Sequence, residues 1–385
     1  MKIVIAPDSF KESLTALEVA NAIETGFRYI FQNAEYIKVP MADGGEGTVQ
    51  SMVDATGGSF IDIEVTGPLG NKVMAQYGIL GSTNSESKST AVIEMASASG
   101  LHLVPREERN PLYTTSFGTG ELIKDALDRG IKHIILGLGG SATNDAGLGL
   151  AQALGIKFKD KEGRELSSGG LALLELSQID TSSIHPLLTS CQIEVACDVD
   201  NPLCGEYGAS AIFGPQKGAT KSMIEQLDGA LEHLANIIVK MGWEDHKLYP
   251  GAGAAGGMGL GVKTFLNAEL KPGIDIVMKT VKFAEQLNNA DLVITGEGRI
   301  DGQTVFGKTP MGVLKQANNK NVPTIGIAGT LGKDADAILE LGMKAIFPII
   351  PALDSLDQVL ADANTNLIKT SRNIAASMAL FTNTK

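Results

Sequence analysis

Residues 131–155 read IKHIILGLGGSATNDAGLGLAQALG. The run 133–136 is apolar and rich in β-branched residues. The loop behind it carries Gly137, Gly139, Gly140 and Gly147 with mostly small residues between them, and 148–154 has the composition of a helix. Strand, tight turn and helix start open a βα unit, a geometry in which free backbone N–H groups and the helix dipole receive an anion. The same stretch fits Gly137-x-Gly139-x-x-Ala142, the spacing of a dinucleotide fingerprint, with Asp160 at the distance of a ribose contact. Taken alone, it describes a dehydrogenase.

The flanks extend the pattern. Residues 3–6 form a short apolar run, 7–11 a polar turn, and 14–30 has helical spacing of apolar positions. A second strand is expected at 36–39, and MADGGEGT (41–48) leads from it to a helix at 49–55. Towards the C-terminus, strands at 292–294, 324–327 and 345–350 alternate with helical stretches at 311–318 and 335–341, and an amphipathic helix closes the chain at 367–381. This alternation predicts a parallel sheet. In between, 60–65, 73–80 and 90–95 follow one another with only turn-rich segments (67–68, 70–71 and 82–89) separating them, which predicts a meander. The expected fold is therefore α/β with two domains: a Rossmann-like parallel-sheet domain built from both chain ends (1–58 and 287–385) and an inserted mixed α/β domain (59–286). A site in the cleft between them, outside the carboxyl ends of strands, is what such an arrangement leads one to expect.

Composition bounds the function. The 385 residues are 43% hydrophobic and 20% charged, ordinary for a globular enzyme, but the 45 glycines are roughly twice average usage. They sit at the ends of apolar runs, without a collagen-like or linker-like period. A formal net charge of −12 and the lack of a basic stripe argue against a nucleic-acid or membrane partner. Cys191, Cys197 and Cys204 are odd in number and lack metal-type spacing, so they read as buried thiols of a reducing compartment. The apolar run near the N-terminus is too short for a signal peptide, and the expected location is the cytoplasm. The sequence leaves open whether the chain forms a homo-oligomer.

Three stretches match nucleotide signatures, and context decides among them. Besides the Gly137 loop there is Gly251-x-Gly253-x-x-Gly256, preceded by a poor strand at 247–250, and GQTVFGKT (302–309), a literal GxxxxGKT. A P-loop needs its strand to run straight into the first glycine, but TGEGRID (295–301) intervenes, and Pro310 suits a new helix start. Asp145 reads as a helix-capping acid or as a group facing a metal or polar substrate atom; either way it repels a pyrophosphate. What remains are short acidic or glycine-rich loops behind expected strands, each pairing small residues with a carboxylate: PDSFK (7–11), DGGEGT (43–48), 139–145, DVDN (198–201) and GEGRID (296–301). Phosphoryl transfer needs this inventory, with carboxylates for Mg²⁺ and the hydroxyl proton and N–H-rich loops and cations for phosphates. The five histidines lie outside these loops, so a nucleophilic triad is not expected.

Together these loops resemble the type 1 glycerate kinases across nearly the full length. The resemblance rests on APDSFKESL (6–14), PMADGGEGT (40–48), GLGGSATNDAGLG (137–149), DVDNPL (198–203), FGPQKGA (213–219), GAGAAGGMGLG (251–261) and TGEGRIDGQTVFGKTP (295–310). One departure is Ala146, where a further glycine fits the family pattern. The resemblance implies ATP-dependent phosphorylation of D-glycerate with Mg²⁺ on a two-domain α/β fold. It also makes the GxGxxA and GxxxxGKT matches coincidental. Many bacterial members resemble 2-kinases, with the 3-phosphate as the alternative product.

On this reading Asp8, Asp43 and Asp198 are the candidates for base and metal ligation, with Asp43 and Asp198 the metal candidates. Lys11 neutralises phosphate or is merely solvated. Arg299 matches the substrate carboxylate bidentately or forms a structural ion pair. Gly44, Gly45, Gly139, Gly140, Ser141, Asn144, Gly296 and Lys308 are the expected nucleotide contacts, while Glu46, Asp200 and Asp301 are second choices for base and metal ligation that read first as caps of helices or turns. Two rivals remain: a NAD-dependent oxidoreductase of small hydroxy acids, and a non-catalytic sensor of such acids.

Overall fold

A computed structural model of the chain describes residues 1–81 and 89–382. In chain order the first strands are β1 (Lys2–Pro7), β2 (Glu35–Lys38), β3 (Ser59–Thr66), β4 (Lys72–Ile79), β5 (Thr90–Glu94), β6 (His133–Gly137), β7 (Lys157–Lys159) and β8 (Gln178–Asp180). There follow β9 (Gln192–Ala196), β10 (Glu269–Lys271), β11 (Leu292–Gly296), β12 (Arg299–Ile300), β13 (Thr324–Ala328), β14 (Thr330–Leu331) and β15 (Ala345–Pro348). They are shared between two compact units.

The first unit comprises 1–43, 50–57 and 274–385. Its sheet has the order β15-β13-β11-β1-β2, parallel throughout. Ile3, Val4, Ile5 and Ala6 are fully buried, as a β-branched run covered on both faces must be. The helix Ala16–Arg28 starts two residues later than its apolar spacing suggests, because Thr15 caps it. Glu18 N–H donates to Thr15 Oγ1 at 3.2 Å, and Thr15 N–H donates to Glu18 Oε2 at 2.8 Å, a reciprocal capping box. Val19, Ile23 and Phe27 of this helix share the core with Leu367 of the terminal helix Ala363–Thr382. The connection after β1 leads to β2 and the chain after β11 leads on to β13, in opposite directions along the sheet, so the strand order reverses between β1 and β11. That is the switch point at which doubly wound sheets open a crevice outside their carboxyl ends.

The second unit comprises 44–49 and 58–273. Its sheet has the order β10-β9-β6-β5-β4-β3. β3, β4 and β5 form the antiparallel meander, whereas β5, β6, β9 and β10 run parallel. The register aligns Glu94 with Gly137 and Gly137 with Ala196, so the ends of β5, β6 and β9 are level. Residues 82–88 of the turn expected at 82–89 lie outside the described residues. The units divide at 273/274, where the sequence pattern suggested 286/287. Ile274 and Met278 of the helix Gly273–Thr280 lie against Gly312 of the helix Thr309–Asn319, which ties that segment to the first unit.

The cysteines form no disulfide, and all three are partly exposed rather than buried. Among the described residues no helix is long and apolar enough to cross a membrane.

Candidate active site

Asp8 and Glu297 stand directly behind β1 and β11, on either side of the switch point, and Asp8 N–H donates to Gly296 O at 2.8 Å. Met41 N–H donates to Pro7 O at 2.9 Å, which draws the segment carrying Asp43 alongside. Asp8 Oδ2 accepts from Thr309 Oγ1 at 2.6 Å and Oδ1 from Ser9 N–H at 2.6 Å. Burial nevertheless pushes the Asp8 carboxyl up to about 6, and the charge of Asp43 adds to this. Glu297 accepts from Thr304 Oγ1 at 2.7 Å and lies 3.8 Å from Lys308 Nζ. Its carboxyl is pushed up to about 7, by burial first, with Asp8 and Asp43 as further causes. Three carboxylates thus repel one another at the end of a parallel sheet.

That set of hard oxygen donors, without His or Cys, suits Mg²⁺. Among the described residues no three acidic, His or Cys side chains converge to cage a metal by themselves. An ion that keeps waters and shares phosphate oxygens needs no such cage. Cations stand around the same loops. Lys308 immediately precedes the helix Thr309–Asn319, Lys11 is exposed in the turn after β1, and Arg299 is exposed on β12. Arg299 Nε lies 3.2 Å from Asp301 Oδ2, an exposed pair that leaves most of the guanidinium in water.

In the second unit the glycine loops meet. Gly44 has φ +97°, and a Cβ there would sit 2.9 Å from both Ala196 Cβ and Gly273 Cα, so only glycine fits. Gly45 lies against Gly139, and Gly44, Gly45, Gly139 and Gly140 line one cavity of about 440 Å³. Asp198 belongs to this unit, with its Oδ1 accepting from Gly273 N–H at 3.0 Å.

Ser141 and Asn144 do not join the cavity lining. Both are buried: Ser141 Oγ accepts from Lys217 Nζ at 2.7 Å, and Asn144 Nδ2 donates to Ser210 Oγ at 3.0 Å. Gly296, in the first unit, ends β11 where a side chain would collide with the Ile327 carbonyl, which gives this glycine a packing reason. Asp145 is completely buried and accepts from Ser116 N–H, Ser116 Oγ, Gly147 N–H and Gly149 N–H at 2.8–3.2 Å. It is the capping acid, not a group open to a ligand.

Four residues carry more of the electrostatics than their motifs suggested. Glu297 and Thr309 complete the Asp8 cluster. Glu94 binds the start of the helix Thr48–Thr56, with Val49 N–H at 2.9 Å. Lys217 is buried with its ammonium on Ser141 Oγ and, at 2.6 Å, Thr143 O; burial lowers it to about 7 against the opposing pull of Asp145. The positions of Glu297 behind a strand and Lys217 inside FGPQKGA were the only local signals, and neither reveals burial.

Ala146 shows why a glycine fits its position. It is buried at φ +51°, with its N–H donating to Gly256 O at 3.0 Å. An L-residue is strained in that left-handed region, so Ala146→Gly is expected to add about 0.5–1 kcal/mol of stability after the lost methyl contacts are subtracted. Thermal melts should rise by roughly 1–3 °C. A lower melting temperature would mean that the methyl contacts outweigh the strain.

Comparisons with known proteins converge. The profile of the glycerate kinase family matches residues 3–379. A glycerate kinase of Haemophilus influenzae is 55% identical over 379 residues, spanning 98% of this chain and 99% of its own. The glycerate 2-kinase of Escherichia coli K12 is 54% identical over 380 residues, 99% of this chain and 98% of its own. A crystal structure assigned as glycerate kinase 2 from Salmonella typhimurium LT2 superposes with a TM-score of 0.91 at 52% identity, covering 100% of this chain and 99% of that one.

Proposed function

The chain belongs to the glycerate kinase family, and from that premise we propose that it transfers the γ-phosphoryl group of ATP to the 2-hydroxyl of D-glycerate. It is a kinase, not an oxidoreductase or a sensor. The observation that carries the mechanism is the Asp8–Asp43–Glu297 cluster at the β1/β11 switch point. A general base works best with a pKa near the operating pH, and Asp8, raised to about 6, meets that condition while remaining mostly ionised at neutrality.

Asp8 accepts the proton as the glycerate hydroxyl oxygen attacks the γ-phosphorus. The bond from that phosphorus to the bridging oxygen breaks, and ADP leaves with the electron pair. Thr309, whose hydroxyl donates to Asp8 Oδ2, fixes the carboxylate and leaves it other lone pairs for the substrate. Lys11 and Lys308 neutralise phosphate charge, and Arg299 offers its planar fork to the glycerate carboxylate. Mg²⁺, for which Asp43 and Glu297 are the suited carboxylates, supplies charge neutralisation at the phosphoryl oxygens when bound. Thiols outside any disulfide and consumption of ATP support a cytoplasmic location.

The test is a coupled ADP-release assay over a panel of small hydroxy acids, with NMR of the product. Turnover is expected with D-glycerate and Mg²⁺, and phosphorus coupling should appear on the C2 methine. No ADP release with any acid would defeat the kinase mechanism. Coupling to the C3 methylene instead would overturn the 2-position.

A further inference from the structure

The cavity of about 440 Å³ in the second unit has a one-sided chemistry. Glu46 and Glu94 line it, and among the described residues that line it there is no lysine or arginine. The helix Thr48–Thr56 begins beside it, and a free helix start would invite a phosphate. That start is already taken: Glu94 accepts from Val49 N–H at 2.9 Å and from the N–H groups of Thr48 and Gly47. Farther along the Gly139–Gly147 loop, Asp145 accepts from the N–H of Gly147 and from that of Gly149 just beyond it, so neither is open to an anion. An anion entering this cavity would meet two carboxylates and no lining cation, so phosphates and the glycerate carboxylate are disfavoured there.

Size points the same way. The volume falls in the range of pockets for drug-sized ligands and is several times what a three-carbon acid fills. Carboxylates beside small-residue loops are suited to ribose hydroxyls, which donate hydrogen bonds and carry no charge. Leu101 and His102 add an apolar edge and a flat ring for a base to lie against.

We propose that this cavity holds the nucleoside portion of ATP, with Glu46 accepting from the ribose hydroxyls, the base against Leu101 and His102, and the phosphates outside the cavity. This rests on the reading of the protein as an ATP-dependent kinase. Glu94 acts as a screen: by capping the helix it turns an anion site into a site for an uncharged group.

The experiment has two arms. Saturation-transfer NMR with adenosine alone should show contacts to base and ribose in the wild-type protein, lost in Ala96→Phe, which fills the cavity, and weakened in Glu46→Gln. In steady-state assays both variants should raise KM for ATP about tenfold or more, with KM for D-glycerate unchanged within about twofold. Absent adenosine contacts, or a rise in the glycerate KM instead, would overturn the assignment. So would unchanged KM values in both variants. If the wild-type protein bound adenosine but released no ADP with any acid, the reaction would be wrong and the nucleoside site would stand. Glu46→Gln keeps the test decisive if Ala96→Phe does not fold.

Discussion

Asp8→Asn is expected to lower kcat by about 10²–10⁴-fold while the protein stays folded. The amide keeps the shape and can still accept from Thr309 Oγ1, but it cannot take the hydroxyl proton. Asn also removes a charge that burial and Asp43 oppose, so the melting temperature of the metal-free variant should equal or exceed that of the wild type. A variant with near-normal turnover would remove Asp8 from the mechanism.

The pH dependence carries the same signature with opposite signs for activity and stability. Asp8 must be ionised to act, so kcat/KM should rise as pH increases through about 6. For folding, its carboxyl titrates near 6 in the native state against the ordinary 3.8 of an exposed aspartate. Between those values the native state binds more protons than the unfolded state, so this residue's contribution weakens as pH rises. Glu297, raised to about 7 from 4.5, shifts stability in the same direction. Acidification from pH 7 to 5 should therefore lower activity assayed with Mg²⁺, whereas in the metal-free protein these two groups favour the fold. Asp8→Asn should flatten the Asp8 part of that stability slope in denaturant titrations at fixed pH.

Asp145→Ala is expected to do the converse, costing stability of roughly 3–5 kcal/mol. It would leave four donors in a buried site without their acceptor and strip Lys217 of the charge that favours its ammonium form. Thermal melts should fall by roughly 6–15 °C, and activity measured well below the new midpoint should fall less than in Asp8→Asn. If the melt were unchanged and turnover lost, Asp145 would be a reacting group after all. The contrast between the two aspartates is instructive, since both lie in loops that follow parallel strands. One stands partly open beside the raised carboxyl of Glu297, and the other is sealed beneath Ser116.

Much of the architecture was legible because it depends on local pattern. The apolar run through Ile3–Ala6 predicted a strand covered on both faces, and the helix-free spacing of 60–95 predicted the meander. The GxxxxGKT match was set aside on local grounds. Gly307 and Lys308 do precede a new helix at Thr309, separated from β11 by a second short strand, β12. The fate of the individual loop residues was less legible. Ser141 and Asn144 look exposed in a glycine loop, yet both are buried, because a ligand-facing turn and an internally bonded one share the same composition.

The sequence by itself determined the α/β class, the alternation of parallel and antiparallel segments and the family, since period, turn chemistry and the order of motifs are properties of the chain read in line. Only the tertiary structure decided which carboxylates answer to one another. Thr309 and Asp8 are 301 residues apart yet share a hydrogen bond of 2.6 Å, and Glu297 is raised by burial first, with aspartates from two other loops adding to it. It also decided that Asp145 takes the N–H groups of Gly147 and Gly149 in the glycine loop, inviting to an anion on paper, and that Glu94 takes those of Gly47, Thr48 and Val49. Hydrogen bonding and desolvation depend on neighbours in space and on the water they exclude, neither of which is written in the spacing of residues along the chain.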